Sequence, residues 1–474
     1  MVKGLGVVGV RRSGLANTPR LCDNFRVASP RAPSQPAHTA NLRRIGLLPF
    51  LALLFAYCTG GPFSLESMVS TSGPGLGLVF LMVVPLLFAV PISLATAEMT
   101  GIMPVEGGFY RWSRAALGDF WGFQCGWWNW TGTFLMSAAY GVAMADYLED
   151  WFPLHSRAGH WAVAFGFLVL VAYLNIRGIH VVGNLTLILL IIMFVPLLIF
   201  TFEGFQHARF NPFHPFFPPG QAWNASFGLG LSIAMWAYAG YEQLSTVIEE
   251  VENPARNFLI GLSIVIPLSI AVYVLTMAAG LAALGNWQEW QTGYFVTAAR
   301  RIGGNGMGTA MFIAAGIGNF VLLDSTLLSV TRLPMALAED GYFHPALGKV
   351  NPRFGTPVRA ILLSAALCMA LAVFTVPQLI GVYAWTRMAT SIQTVLSFWQ
   401  MRRKFPDAPR SFVAPGGVLG ALFVVIAPTL LFAWAMVYSD AASRKWGLLN
   451  LASGPVAYLW IWYRRRRRAE APQV

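Results

Sequence analysis

Residues 236 to 246 read WAYAGYEQLST and set a carboxylate, Glu242, in the middle of a long apolar run. An ionisable group at membrane depth costs roughly 2.5–3.5 kcal/mol on insertion scales, so it normally faces a partner, a cavity or a substrate. The stretch has an echo in residues 55 to 62, FAYCTGGP, which repeats the aromatic-Ala-Tyr start and then breaks at Gly60, Gly61 and Pro62. Two apolar segments interrupted by Gly or Pro in corresponding positions of two halves point to the midplane binding site of a secondary transporter. Two more charges lie inside apolar runs: Asp324, two residues before Thr326, and Arg387, which can neutralise an acid, Asp324 being the expected partner of such a structural pair. Glu66 and Glu98 sit nearer the ends of their runs. Glu66 is expected to face water in an outer vestibule, and Glu98 to anchor the cytoplasmic end of its segment.

The elements that hold these residues follow from composition. Of 474 residues, 56% are hydrophobic and 11% charged, with mean hydropathy +0.58. About a quarter of a soluble domain is charged, so the chain is read as an all-α polytopic membrane protein. The net charge of +12 does not indicate nucleic acid, because most Lys and Arg sit in short loops and tails between apolar runs. Cys22 lies in the tail and Cys58, Cys125 and Cys368 in apolar spans, which offers neither a disulfide framework nor a metal spacing. No cofactor is implied.

At roughly 20 apolar residues per crossing, the chain divides into twelve spans, near 44–69, 75–99, 120–148, 160–177, 184–204, 224–248, 257–283, 305–336, 357–375, 379–401, 417–438 and 446–463. Residues 106–118 are too polar to span and read as a short interfacial helix. With the amino terminus inside, 25 of the 32 Lys and Arg fall on the inner side and 6 on the outer, while Arg387 lies within a span. Both termini are therefore expected in the cytoplasm. Residues 1–40, basic and without an amphipathic period, read as a disordered tail, with an organelle presequence as the other option. Residues 41–401 form the expected transport core, and 402–474 two peripheral helices with a basic end.

Several motifs occur in order: GGPFSLE (60–66), PVEGGFYRW (104–112), GDFWGFQCGWWNW (118–130), NIRG (175–178), EEVENPAR (249–256), RLPMALAEDGYFHP (332–345) and GTP (355–357). Together they resemble the amino acid-polyamine-organocation (APC) transporter superfamily, and within it the branch of plant-type polyamine uptake and L-type amino-acid transporters. The resemblance implies a LeuT-like fold, two inverted five-helix repeats with discontinuous helices 1 and 6. It implies an unwound site at Thr59 to Pro62, with Tyr57, Cys58, Thr59, Gly60 and Gly61 in the pocket. In span 6 it adds Trp236, Ala237, Ala239 and Glu242, where Trp236 and Glu242 form WxxxGxE with Gly240, similar to cationic amino-acid antiporters. There the aromatic stacks on the substrate or gates it; simple packing is the other reading of Trp236. By register, span 3 offers Ser137 and Tyr140, and span 8 offers Thr326. The plant polyamine carriers resemble this chain less at Asp324, where they carry a Glu nearby.

The expected function is secondary active transport of amino acids or polyamines across the plasma membrane, favouring cationic, amine-bearing substrates. Glu242 and Asp324 are the coupling candidates. A proton is the expected coupling ion, since buried acids supply a relay, whereas the hydroxyl and carbonyl cluster of a sodium site is not assignable from the chain. Acids Glu249, Glu250 and Glu252 are expected to cap or clamp the cytoplasmic end of span 6 with Arg256 or Arg332, or else to be solvated. A nutrient sensor or transporter subunit that keeps the fold without transporting is the alternative, an ion channel a further one, and flux in liposomes separates them. An enzyme is disfavoured, as no metal cluster or nucleophile-base spacing occurs.

Overall fold

The computed structural model describes residues 44–149, 156–220, 223–374, 376–437 and 441–470, all within one compact unit, Asn41–Val474. The tail at 1–40 lies outside the described residues. In chain order the helices are α1 (Leu47–Cys58), α2 (Glu66–Ser72), α3 (Pro74–Leu87), α4 (Ala89–Ile102), α5 (Gly108–Leu117), α6 (Asp119–Glu149), α7 (Arg157–Arg177) and α8 (Ile179–Gln206). They continue with α9 (Trp223–Ala237), a 3-10 helix (Gln243–Glu250), α10 (Pro254–Leu284), α11 (Tyr294–Glu339), α12 (Val358–Leu371), α13 (Val376–Lys404), α14 (Gly417–Val437) and α15 (Ala441–Glu470). Among the described residues the only β pairing is two isolated bridges.

Among the described residues six helical stretches are long and apolar enough to cross a membrane: α3 with α4, α7, α8, α10, α11 and α14. α8 shows why. Its buried positions, including Val182, Thr186, Leu190, Met193, Leu197 and Phe200, recur at helical spacing. The opposite side is just as apolar, with Ile188, Ile191, Val195, Leu198 and Phe202 exposed. A helix apolar all round with one face uncovered is suited to a lipid surround.

The helical boundaries depart from the sequence expectation in three places. Span 2 is two helices, because Phe88 (φ −124°, ψ −65°) interrupts the run between Pro85 and Pro91. α11 begins at Tyr294, earlier than position 305, and bends at Gly304, whose φ is +77°. The break in the first span runs from Thr59 to Leu65, beyond the expected Pro62.

α11 packs against α6 and α8, and α13 against α6; α14 lies on α13 and α4, and α15 on α13 and α6. The two interrupted spans are joined at one end. Ile45 bridges Val251 in parallel, with Ile45 N donating to Glu250 O at 2.9 Å and Glu252 N to Ile45 O at 3.0 Å.

The same end carries a layer of ion pairs. Arg332 donates through Nε to Glu250 Oε1 at 2.9 Å and through Nη2 to Oε2 at 3.3 Å, both residues being buried. Glu249 Oε1 accepts from Glu106 N at 2.9 Å. Of the two expected clamp partners, Arg332 takes the role. Next to it, Arg111 meets Glu339 at 2.5 Å, and Arg114 meets Asp340 at 2.6 Å. Glu98 holds Arg402 at 2.6 Å and accepts from Ala414 N at 2.8 Å, anchoring the end of α4 as expected. Burial, with the carboxylates of Glu250 and Glu249 beside it, pushes Glu106 well above the usual carboxylate range, against the pull of Arg332.

Two expectations follow. Arg332→Met leaves Glu250 buried without its counter-charge, which should cost about 3–5 kcal/mol; Arg332→Met with Glu250→Leu should recover most of it in detergent unfolding curves. A raised carboxyl pKa in the folded state favours the protonated form. Glu106 therefore opposes folding increasingly as pH rises from the unfolded carboxylate range through its folded pKa. Glu106→Gln should raise the thermal midpoint at about pH 8 and leave it nearly unchanged at about pH 4.

Candidate functional site

The site is built where two helices stop. α1 ends at Cys58 because Gly60 and Gly61 adopt φ of +51° and +94° and Pro62 has no N–H to donate. α9 ends at Ala237, and Gly240 turns the chain with φ +124°. A side chain at Gly240 would put Cβ 2.8 Å from the Tyr57 ring, so the two breaks lie against each other.

Backbone groups freed at membrane depth need partners. α10 supplies them. Tyr273 OH lies 3.2 Å from both Thr59 O and Ala237 O, sharing one proton between the two breaks. One turn earlier, Ser269 Oγ is 2.6 Å from Thr59 Oγ1. Because Ser269 donates to Val265 O at 2.8 Å, Thr59 is the donor of that pair. From the other side α11 approaches so closely that a Cβ on Gly318 would fall 2.1 Å from Gly60 O.

Around the breaks lies a cavity of about 630 Å³. Tyr57, Cys58, Thr59, Gly60 and Gly61 line it from the first break, Trp236, Ala237 and Ala239 from the second, Tyr140 from α6 and Thr326 from α11. Those ten positions are among the residues expected there. Thr292, between α10 and α11, and Ser443, in the first turn of α15, also line it, while no residue of the Glu250–Arg332 layer does. The cavity therefore extends away from the ion-paired end.

Ser137, expected in the pocket, is not in its wall. It is fully buried, with Oγ donating to Thr133 O at 3.0 Å, because the stripe of α6 in the wall is Met136, Ala139, Tyr140 and Ala143, and Ser137 stands about 100° round the helix from Met136. Glu242 also lies behind the wall. Its Oε1 accepts from Arg387 Nη2 at 2.6 Å and Ser391 Oγ at 3.1 Å. Arg387 does line the cavity. The expected pairing of Arg387 with Asp324 is thus corrected: α13 faces the break in span 6, and its cation is used by Glu242. Asp324 turns from the cavity towards α7, where Oδ1 accepts from Asn175 Nδ2 at 2.8 Å. Oδ2 of Asp324 has no hydrogen-bond partner among the described residues. Glu66 is likewise corrected. Rather than facing vestibule water it is fully buried, with Oε1 accepting from Gly293 N at 3.2 Å.

α1 and α9 both point their carboxyl ends, carrying partial negative charge, at the breaks. The aromatic faces of Tyr57, Tyr140, Trp236, Tyr383 and Trp385 surround the same space and suit ammonium groups. Among the described residues Arg387 is the only side chain in the wall charged at neutral pH, and Glu242 balances it.

Reading the residues alone missed Tyr273, Tyr383, Trp385 and Asn175. Tyr273 and Ser269 stand four apart on one face of an apolar helix, a signal shared with ordinary packing. Asn175 lies inside the NIRG motif, so the motif marks the residue without marking its partner.

Residues 45–462 match the family model described as amino acid permease. The polyamine transporter RMV1 of Arabidopsis thaliana is 29% identical over 423 residues, 89% of this chain and 85% of its own. The polyamine transporter PUT1 of Oryza sativa subsp. japonica is 27% identical over 425 residues, 88% of this chain and 78% of its own. An uncharacterized transporter of Mycobacterium tuberculosis is 27% identical over 332 residues, 70% of this chain and 73% of its own.

Contact between the breaks can be tested at Gly240. Gly240→Ala adds a methyl against Tyr57 at a φ that L residues rarely adopt, and should cost about 1–3 kcal/mol in chemical denaturation. Gly166→Ala in α7, where a Cβ meets nothing within 4 Å, should not destabilise.

Proposed function

On the premise that the chain belongs to the amino acid permease family, we propose that it carries amine-bearing, cationic substrates by alternating access around the paired breaks. It is an integral multi-pass membrane protein and a transporter of amino acids or polyamines, not an enzyme. The observation that carries the finer reading is the convergence of two helix carboxyl ends and an aromatic lining on one cavity without a free cation. Relatives named as polyamine transporters point the same way.

The substrate sits among Tyr57, Tyr140 and Trp236, with its ammonium towards the carbonyl ends at Cys58 and Ala237. Twelve crossings form the membrane domain. Spans 1–5 (α1 to α8 without the interfacial α5) and spans 6–10 (α9 to α13) are its inverted repeats, and α14 and α15 are peripheral. A break in the first helix of each repeat supports this division. Both termini face the cytoplasm of a plasma-membrane protein, in keeping with the 25 to 6 bias of Lys and Arg. In that orientation the ion-paired end is the closed cytoplasmic gate, and the cavity is reached from outside.

Transport is proton-coupled, and Asp324 carries the proton. The support is geometric: Asp324 Oδ2 and Asn175 Oδ1 are both without partners among the described residues, so a proton on the carboxyl gives Oδ2 a hydrogen to donate. Protonation there changes the contact between α11 and α7, two elements that must move for access to alternate.

Purified protein in liposomes should take up lysine, arginine or putrescine saturably, faster under an inward proton gradient and indifferent to sodium at constant pH and voltage. Asp324→Asn should abolish the acceleration by the gradient while keeping substrate exchange. Absence of flux for every amino acid and polyamine would leave a sensor or subunit as the answer; dependence on sodium would remove the proton.

A further inference from the structure

Resting on the amine reading above, we infer that Arg387 is the specificity-determining residue of the cavity. It is a tethered cation that holds Glu242 in place of a substrate ammonium and limits the site to substrates of low net positive charge.

The argument starts from what faces the cavity. Arg387, on α13, is 7% exposed and is the only wall residue among the described ones that is charged at neutral pH. Its Nη2 meets Glu242 Oε1 at 2.6 Å, and Ser391 Oγ, one turn on, meets the same oxygen at 3.1 Å. The carboxylate sits in the break of span 6, so it belongs to the part of the fold that the substrate touches, at Trp236, Ala237 and Ala239. The other two deep acids are committed elsewhere, Asp324 to Asn175 and Glu66 to Gly293 N, and neither lines the cavity.

Among the described residues the cavity and its immediate backing therefore carry no net charge. A first ammonium can be held by the two helix carboxyl ends and the aromatic faces. It can gain a full counter-charge only by replacing the guanidinium on Glu242. Each further ammonium finds no carboxylate, and an uncompensated charge in a low-dielectric site is strongly disfavoured. A guanidinium on a flexible stem makes the exchange feasible. Arg387 needs only to swing from Glu242 towards Tyr383, one turn earlier on its own helix and also in the wall.

The experiment measures binding of butylamine, putrescine, spermidine and spermine, bearing one to four ammonium groups, to purified full-length protein by calorimetry at constant ionic strength. In the wild type, affinity should not rise along the series. In Arg387→Gln the cavity gains a net negative charge, and putrescine should gain on butylamine by on the order of tenfold. Arg387→Lys should keep the wild-type order. Glu242→Gln leaves a net positive charge, so affinity should fall with each added ammonium.

The double variant Glu242→Gln/Arg387→Gln has no unpaired buried charge and is the one safest to fold. It should show a flat order and weaker binding of every amine, because the acceptor is gone. An unchanged order in Arg387→Gln, or wild-type affinity in the double variant, overturns the inference while leaving the amine reading intact. A wild type that binds none of the four overturns both.

Discussion

Peptide groups set free at membrane depth are the constraint from which the rest of this structure follows. A helix hides its own N–H and C=O groups, and breaking it in a lipid surround exposes them where water cannot answer. The chain breaks two helices, after Cys58 and after Ala237, and sets the breaks against each other. One hydroxyl, Tyr273 OH, reaches a carbonyl of each. The glycines follow from the same demand. Gly60 and Gly318 permit α11 to close on the first break, and Gly240 permits Tyr57 to close on the second.

Charge is managed by the same rule. Each deep acid has a distinct neighbour: an arginine for Glu242, an amide for Asp324, and a backbone N–H for Glu66. The three arrangements differ in how far they can change. A buried ion pair is costly to split, since the charge left behind is stranded. A carboxyl held by an amide can gain or lose a proton with less rearrangement. Division of labour between Glu242 at the site and Asp324 at the α7–α11 contact follows from these environments rather than from residue type.

The two ends of the molecule are bounded by different contacts. At one end stand bidentate and charge-assisted contacts, Arg332 with Glu250 and Arg402 with Glu98 among them. Such contacts are directional and come apart as units. Towards the other end the cavity is bounded mostly by aromatic and aliphatic side chains, with Ser67, Thr292 and Ser443 among them.

Much of this was legible from residue order. Lipid depth fixes the length and apolarity of a crossing, so spans could be read from hydropathy, and a carboxylate, two glycines and a proline inside such runs could mark both breaks. Eight of the expected pocket positions, those beside the two breaks, do line the cavity; Tyr140 and Thr326, which line it too, were implied by the family resemblance. Partnership was not legible. Arg387 and Asp324 were both visible as buried charges, yet their pairing failed, because which face of α13 meets span 6 is set by side-chain packing across helices distant in sequence. Ser137 failed for a related reason: which stripe of α6 meets the cavity, here Met136, Ala139, Tyr140 and Ala143, is decided by packing against other helices, and Ser137 lies to one side of it. Local rules of solvation and backbone geometry act within a few residues and are written in the chain itself. The assignment of Glu242 to Arg387, Asp324 to Asn175 and Tyr273 to two carbonyls depends on contacts between remote segments, which exist only once the helices have packed.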